Sequence, residues 1–278
     1  MCTNKDIPVH GFKNSAVVNI ERISHDNPYD FQRVHRHKYF EVLFFVKGGG
    51  VQLIDFKTIE IKDYACYMVK PRQIHLLKRD KEADGYLIQF DDASISRELK
   101  NSLSILQYYS STSIIFENDE HLTIKIIQFI KIFADLKKSG TAFIRERTSH
   151  ILALIIYELE LNLIDEYGKN KVVDKNLLKY TKLVDEYFNQ YSVKEYASML
   201  HISTRKLTDL VKEAYGVTPL KFVHNALILE IQRELMFNSL NIKEICYKFN
   251  FDSLSNFSLF VKKMSGYSPS ELQKSLLK

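Results

Sequence analysis

Three things are missing from this sequence: paired cysteines, a long apolar run and a recognisable catalytic constellation. Its three cysteines, Cys2, Cys66 and Cys246, lie far apart, with no CxxC pair and no metal-ligand spacing among them. That excludes a disulfide framework and reads as reduced, mostly buried thiols. No apolar run reaches the roughly 18 residues of a membrane span, and the polar stretch Met1 to Lys13 lacks a signal-peptide core. The expectation is a cytoplasmic chain with no membrane partner. No nucleophile and base stand in a shared motif, and no glycine loop is built to cradle phosphate. Gly48-Gly49-Gly50 is followed by neither a helix start nor a lysine, and reads as a hairpin turn.

What is present is ordinary in amount and unusual in arrangement. The 278 residues suffice for two domains, each with its own core, and 45% apolar with 26% charged residues is the balance of a soluble globular protein. The net charge of +5 is unevenly shared: residues 174–278 hold 15 Lys/Arg against 11 Asp/Glu. A basic C-terminal third fits phosphate binding, although many proteins with such a charge never meet nucleic acid.

That same third contains one pattern written twice. Ser192-Val193-Lys194-Glu195 opens the first copy and Asn241-Ile242-Lys243-Glu244 the second, while Val211-Lys212, Gly216 and Thr218-Pro219 recur as Val261-Lys262, Gly266 and Ser268-Pro269. The offset grows by one residue between start and end, which places a single extra residue near Asn250 to Asp252, in a turn. Each copy reads as helix, turn, helix, then Gly and Ser/Thr-Pro. This is the outline of a helix-turn-helix, whose second helix enters the DNA major groove.

In the first copy Ser192 and Glu195 form a capping box for a helix to about Leu200, and Ser203 caps the next helix, residues 204–214. On a helical wheel Leu207, Leu210, Val211 and Ala214 share the core face. Thr204, Arg205, Thr208, Asp209 and Lys212 are the candidate DNA-facing residues: Arg205 can fork onto guanine, Asp209 can accept from cytosine and Lys212 suits phosphate. The competing reading pairs Arg205 with Asp209 on a solvated surface. In the second copy Leu254, Phe257, Val261 and Met264 are the expected buried stripe, with Phe260 at its margin. Ser253, Ser255, Ser258, Leu259 and Lys262 are the candidate DNA-facing set. Leu259 cannot hydrogen-bond a base but can touch a thymine methyl, so this helix is expected to read weakly or with a T bias. Between the copies, Thr218 and Pro219 begin a helix to about Asn238, about 30 Å long. A rod of that length can set two recognition helices about one DNA turn, roughly 34 Å, apart.

Up to about residue 92 the pattern is strand-like: Phe40 to Val46, Val51 to Ile54, Thr58 to Ile61, Ala65 to Val69 and Gly85 to Phe90, with turn residues between. Short strands at this spacing argue for a sandwich or barrel. From Leu103 to Tyr167 the period becomes helical, with Leu122, Ile126, Ile127, Ile130 and Phe133 on one stripe and Ile151, Leu154, Ile155, Leu159 and Leu163 on another. These helices are expected to cover the barrel and to offer a face for a possible homodimer. Gly168 to Lys171 is polar and reads as a linker.

The C-terminal hundred residues resemble the DNA-binding domain of the AraC/XylS family of transcription regulators. The stretches that carry the resemblance are Leu240-Asn241-Ile242-Lys243-Glu244-Ile245, Phe251, Ser255-Asn256-Phe257-Ser258, Lys262-Lys263 and Gly266-Tyr267-Ser268-Pro269. The resemblance implies two helix-turn-helices joined by a long helix and a role in transcription, most often activation, with double-stranded DNA and RNA polymerase as partners. Three positions depart from the family pattern: Asp209 and Leu259 stand where an arginine is frequent, and Asn250 where a glycine usually precedes the phenylalanine. Asparagine tolerates the left-handed conformation next best to glycine.

In the N-terminal half, His35-Arg36-His37-Lys38-Tyr39-Phe40-Glu41 with Gly48 looks like a first cupin motif, and Pro71-Arg72-Gln73-Ile74-His75 like a shortened second one with Gln in place of Gly. Three imidazoles and a carboxylate would suit Zn, Fe, Ni or Cu, so a metal-dependent cupin enzyme or a metal sensor with a DNA-binding tail is one alternative. The same residues resemble the effector domains of AraC-type regulators, which generally lack a metal. On that reading His35, His37, Tyr39, Glu41 and His75 are effector-binding candidates and no cofactor is expected. Phe31, Tyr39, Phe40, Phe44, Phe45 and Tyr67 are candidate pocket aromatics. The expected protein is thus α+β and multidomain: a cupin-like β-barrel sensor (1–95), a helical cover or dimerisation segment (96–167), a linker (168–173) and an all-α double helix-turn-helix domain (174–278). It is expected to regulate transcription in response to an unknown small-molecule effector, not to act as an enzyme. The other alternative is a constitutive regulator whose cupin serves only as a dimerisation scaffold.

Overall fold

The computed structural model describes residues 9–10, 18–23, 34–91, 95–109, 113–139, 144–167, 174–237 and 239–276; the expected linker 168–173 and Phe31 lie outside them. Ile7–Lys171 and Val172–Lys278 cluster as two compact units.

In the first unit β1 (Val9–His10), β2 (Val18–Ile23), β3 (Arg36–His37), β4 (Phe40–Lys47), β5 (Gly50–Ile54), β6 (Lys57–Glu60), β7 (Ala65–Val69), β8 (His75–Arg79) and β9 (Asp84–Phe90) precede α1 (Arg97–Tyr109). Then come β10 (Ile114–Phe116), α2 (Glu120–Ser139) and α3 (Ile144–Tyr167). A five-stranded sheet in the order β10-β7-β4-β9-β2 and a three-stranded sheet β6-β5-β8 are antiparallel throughout, while β1 and β3 pair in parallel.

The apolar run of β4 is continuous because both of its faces are covered. Phe40, Val42 and Phe44 join Cys66, Met68, Ile88 and Phe90 in a core shared with α1, α2 and α3. Leu43 and Phe45 join Tyr67, Val69 and Leu87 in a second core, closed by Ile54, Ile61 and Leu77 from or beside the smaller sheet. Period-two alternation therefore sends Glu41, between Phe40 and Val42, to the face of Leu43 and Phe45, between the two sheets. The same alternation corrects the aromatic set: Phe40 and Phe44 lie under the helices, whereas Phe45 and Tyr67 face inward.

Gly48-Gly49-Gly50 is not a hairpin turn. β4 pairs with β7 and β9, and β5 with β6 and β8, so the glycines carry the chain from one sheet to the other. Gly50 has φ +91, and a Cβ there would stand 2.2 Å from the Lys78 carbonyl oxygen, which leaves room for glycine alone. Leu154 is also corrected. It is 47% exposed, because α3 buries Leu152 and Ile156 together with Ile151, Ile155, Leu159 and Leu163, a broad face that leaves Leu154 outside it.

In the second unit α4 (Lys175–Tyr187) and a 3-10 turn (Phe188–Gln190) lead into α5 (Val193–Met199) and α6 (Thr204–Tyr215). These are followed by α7 (Pro219–Phe237), α8 (Ile242–Lys248), α9 (Leu254–Ser265) and α10 (Pro269–Leu276). The two copies share their caps. Ser192 Oγ accepts from Glu195 N–H at 3.3 Å while Ser192 N–H donates to Glu195 Oε2 at 2.7 Å, and Asn241 with Glu244 repeats this at 3.0 and 2.7 Å. Ser203 and Ser253 cap α6 and α9, which both end on a left-handed glycine. His201 (φ 56) and Asn250 (φ 56) take the same left-handed place in the two turns, so the extra residue of the second copy falls between Asn250 and the cap Ser253.

α4 anchors the first copy, with Leu177, Tyr180 and Val184 buried and Tyr180 Oη donating to the Pro219 carbonyl at 2.9 Å. The second copy has its own core, in which Phe257, Val261, Ile245 and Cys246 meet Leu227, Ile231 and Leu235 of α7. Leu254 is 43% exposed, not part of that stripe: it is the first residue of α9, and the helix reaches the core only at Phe257. Met264 and Phe260 pack half-buried against the same core.

Candidate functional site

α6 and α9 each turn one stripe inward and leave the other free. On α6, Leu207, Leu210 and Val211 are buried and Ala214 half-buried, while Thr204, Arg205, Asp209 and Lys212 are exposed. Thr208 is half-buried, and its Oγ1 donates to the Thr204 carbonyl at 2.8 Å, which occupies the hydroxyl proton within the helix. Arg205 and Asp209, both exposed, are not joined by an ion pair among the described residues.

On α9, Ser255, Leu259 and Lys262 are exposed, Leu259 at 67%, and Ser258 is half-buried. Ser253 is held by its cap: its Oγ accepts from Asn256 N–H at 3.2 Å. The exposed residues Lys206 on α6 and Lys263 on α9 were not among the sequence candidates, though both follow a named position directly. Lys263 and Lys221 lie near His224, whose pKa is lowered first by burial and then by these two ammonium groups. The two helices differ chemically. α6 mixes Arg205, Lys206 and Lys212 with Asp209 and Glu213, donors and acceptors suited to base edges, whereas α9 carries Lys262 and Lys263 without a carboxylate and suits phosphate.

In the first unit the five sequence candidates come together. His35, His37, Tyr39, Glu41 and His75 are all buried. His35 and His75 exchange backbone hydrogen bonds of 3.0 and 2.9 Å, and their rings are 4.1 Å apart. The His37 ring stacks on Tyr39 at 4.1 Å and meets His75 edge-on at 4.8 Å. Glu41 Oε2 is 3.7 Å from His37 Nε2, and Oε1 is 3.8 Å from His75 Nδ1. Burial pushes the Glu41 carboxyl up to about 7, partly opposed by the hydrogen bond from Gln89.

Neighbouring polar residues that the sequence did not single out complete the group. Gln89 Nε2 reaches Glu41 Oε2 at 3.0 Å and Tyr39 Oη at 3.2 Å, and Asn19 Nδ2 donates to Gln89 Oε1 at 3.2 Å. Gln73, which stands where the motif expects glycine, ties two loops: its Nε2 donates to Asp55 Oδ2 at 2.6 Å and its Oε1 accepts from Lys70 N–H at 2.7 Å, which fixes the entry to His75. Gln52 pairs across β5 and β8 with Leu77, two positions from the Ile54 to His75 pair and hence on the same face. It is fully buried, and neither atom of its amide has a hydrogen-bond partner among the described residues. Such an amide is costly unless something polar meets it.

Comparison with known proteins adds the following. A helix-turn-helix domain family matches residues 196–275. The uncharacterized HTH-type transcriptional regulator YfiF of Bacillus subtilis (strain 168) is 23% identical over 246 residues, 85% of this chain and 77% of that protein. The HTH-type transcriptional activator RhaS of Klebsiella pneumoniae (strain 342) is 17% identical over 252 residues, 86% of each. Among solved structures, ToxT from Vibrio cholerae aligns with a TM-score of 0.44 at 17% identity, covering 92% of this chain and 97% of that one.

Proposed function

We propose that this chain, whose residues 196–275 match a helix-turn-helix domain family, is a sequence-specific activator of the AraC/XylS type that responds to a small-molecule effector held in its cupin-like N-terminal unit. The observation that carries the reading is the pair of exposed helices α6 and α9, both packed on α7 in one unit. One chain then presents two reading heads. Arg205 and Asp209, with Thr204 and Thr208 beside them, read base edges, and Lys212 holds phosphate. Ser253, Ser255, Ser258, Leu259 and Lys262 hold the backbone and touch thymine methyls.

Supporting an effector pocket are the buried imidazoles of His35, His37 and His75, the Glu41 carboxyl, the Tyr39 ring and the unmet amide of Gln52. Binding there shifts DNA affinity only by the difference between the effector's affinities for the two states of the protein. RNA polymerase is the partner an activator requires. The work of a DNA reader puts the chain in the cytoplasm, and no helix among the described residues is long and apolar enough to cross a membrane. We assign no catalytic step to the chain.

A homodimer through α3 belongs to the same reading. Leu154, Tyr157 and Leu161, spaced three and four apart and therefore on one stripe, are all exposed. Leu161→Asp is expected to leave a folded monomer by sedimentation equilibrium where the unaltered chain is a dimer; a dimer in both would place the contact elsewhere.

The reading as a whole is tested by selecting from a randomised DNA pool with the purified chain at two salt concentrations. Two enriched motifs about ten base pairs apart, one turn of the duplex, are expected. Binding that is salt-sensitive and indifferent to sequence would refute specific readout by these helices.

A further inference from the structure

We infer that His37, Glu41 and His75 form a binding site for a divalent first-row transition-metal ion, and that this ion is the effector. The inference deepens the pocket assignment above and rests on it. The three side chains are fixed by three different strands, β3, β4 and β8, and one ligand atom from each lies within 4.8 Å of the others. All three are almost wholly buried, so the convergence belongs to the barrel interior and not to a mobile surface.

The orientation of His37 is the telling detail. Its Nδ1 stands 2.7 Å from the Tyr39 carbonyl oxygen, which can only accept, so Nδ1 carries the proton. In the neutral ring Nε2 then presents its lone pair toward Glu41 Oε2. At 3.7 Å this gap is too long for a hydrogen bond. It is close to the separation of two ligands on one ion, about 3.4 Å for a tetrahedral centre with bonds of about 2.1 Å. The 3.8 Å gap between Glu41 Oε1 and His75 Nδ1 is of the same kind. A bound ion draws both pairs slightly inward.

The groups behind the ligands are those a metal site needs. A histidine ligand commonly donates its second ring N–H to a backbone carbonyl, as His37 does to Tyr39, and a ligating carboxylate is itself hydrogen-bonded, as Glu41 is by Gln89. Two imidazole nitrogens and the Glu41 carboxylate, whose Oε2 faces His37 and Oε1 faces His75, select borderline ions such as Zn, Fe, Co or Ni over the all-oxygen preference of Ca and Mg. Three protein ligands leave a coordination position open.

The test uses the full chain, stripped with a chelator and titrated with Co²⁺ as a coloured probe. One equivalent is expected to bind with the visible bands of a nitrogen- and oxygen-ligated centre and to raise the melting temperature. Glu41→Gln, which keeps the shape of the side chain and its place in the barrel, is expected to weaken binding about tenfold or more, and His75→Gln likewise. Absence of a stoichiometric ion from the unaltered chain, or binding indifferent to both substitutions, overturns the site. DNA affinity is read separately by fluorescence anisotropy with and without Co²⁺. A bound ion that leaves DNA affinity unchanged removes its role as effector while the site stands. Absence of the ion, with an organic ligand still shifting DNA affinity, removes the metal and leaves the effector pocket.

Discussion

Replacing Phe257 by alanine will destabilise the second helix-turn-helix by about 3 to 5 kcal/mol, the usual cost of emptying a large aromatic from a core. Phe257 is fully buried, meets Phe251 edge-on at 5.2 Å, and stands where α8, α9 and α7 converge. Domain stabilities are about 5 to 15 kcal/mol, so the loss is a large part of what holds this half together. The first copy is expected to survive it, because Leu177, Tyr180, Tyr196, Leu207 and Val211 form its interior without Phe257. Hydrogen exchange is the measurement: protection should fall in α8 and α9 and persist in α5 and α6. Selection from the randomised pool should then return one motif in place of two. Uniform loss of protection across both copies would mean that they fold as one cooperative unit.

Arg205→Ala will weaken binding to the preferred DNA site by about 1 to 3 kcal/mol and relax sequence choice at one position. Arg205 is exposed in the first turn of α6, near the cap Ser203, so its guanidinium extends from the end of the helix that is proposed to enter a groove first. Truncation removes no buried contact, and melting of the free protein should be unchanged. Titration against the selected site and against single-base variants separates two roles. A bidentate contact to guanine shows as loss confined to sites that carry it. Equal loss on every sequence, with a salt slope smaller by about one, makes Arg205 a phosphate contact.

Much of this was readable from the chain because the signals are local. Capping boxes, left-handed turn residues and the Ser/Thr-Pro starts act within four residues of themselves, so a doubled pattern of them fixes two helix pairs without any knowledge of packing. Asn250 shows the point: it adopts the left-handed conformation expected of it, and His201 does the same in the other copy, where nothing in the sequence marked it. Packing was less legible. The helical wheel placed Leu154 and Leu254 inside because a wheel assumes one buried face of constant width, whereas α3 is covered over a broader and rotated face and α9 begins before it reaches its core.

β8 escaped notice because only Leu76 and Leu77 of its five residues are aliphatic. β2, Val18–Ile23, alternates imperfectly around Glu21 and Arg22. The histidines and Glu41 of this cluster could be named because their spacing resembles the two cupin motifs. Gln52 and Gln89 could not. A glutamine in a strand is unremarkable until its neighbours are known, and what distinguishes these two is burial and, for Gln89, three hydrogen-bond partners, Asn19, Tyr39 and Glu41, that lie far from it in sequence.

α7 carries no glycine or internal proline, its single proline being the first residue, so it is an unbroken rod of 19 residues against which both α6 and α9 are seated. A rigid spacer makes the protein a gauge of helical phase. Each base pair added between the two motifs turns the second one by about 34° around the duplex axis, as a repeat of about 10.5 base pairs requires. Five added pairs carry it to the opposite face, out of reach of α9, and ten bring it back in phase but one turn too far away. On the proposed reading, binding is therefore expected to fall steeply when the spacing between the two motifs is changed.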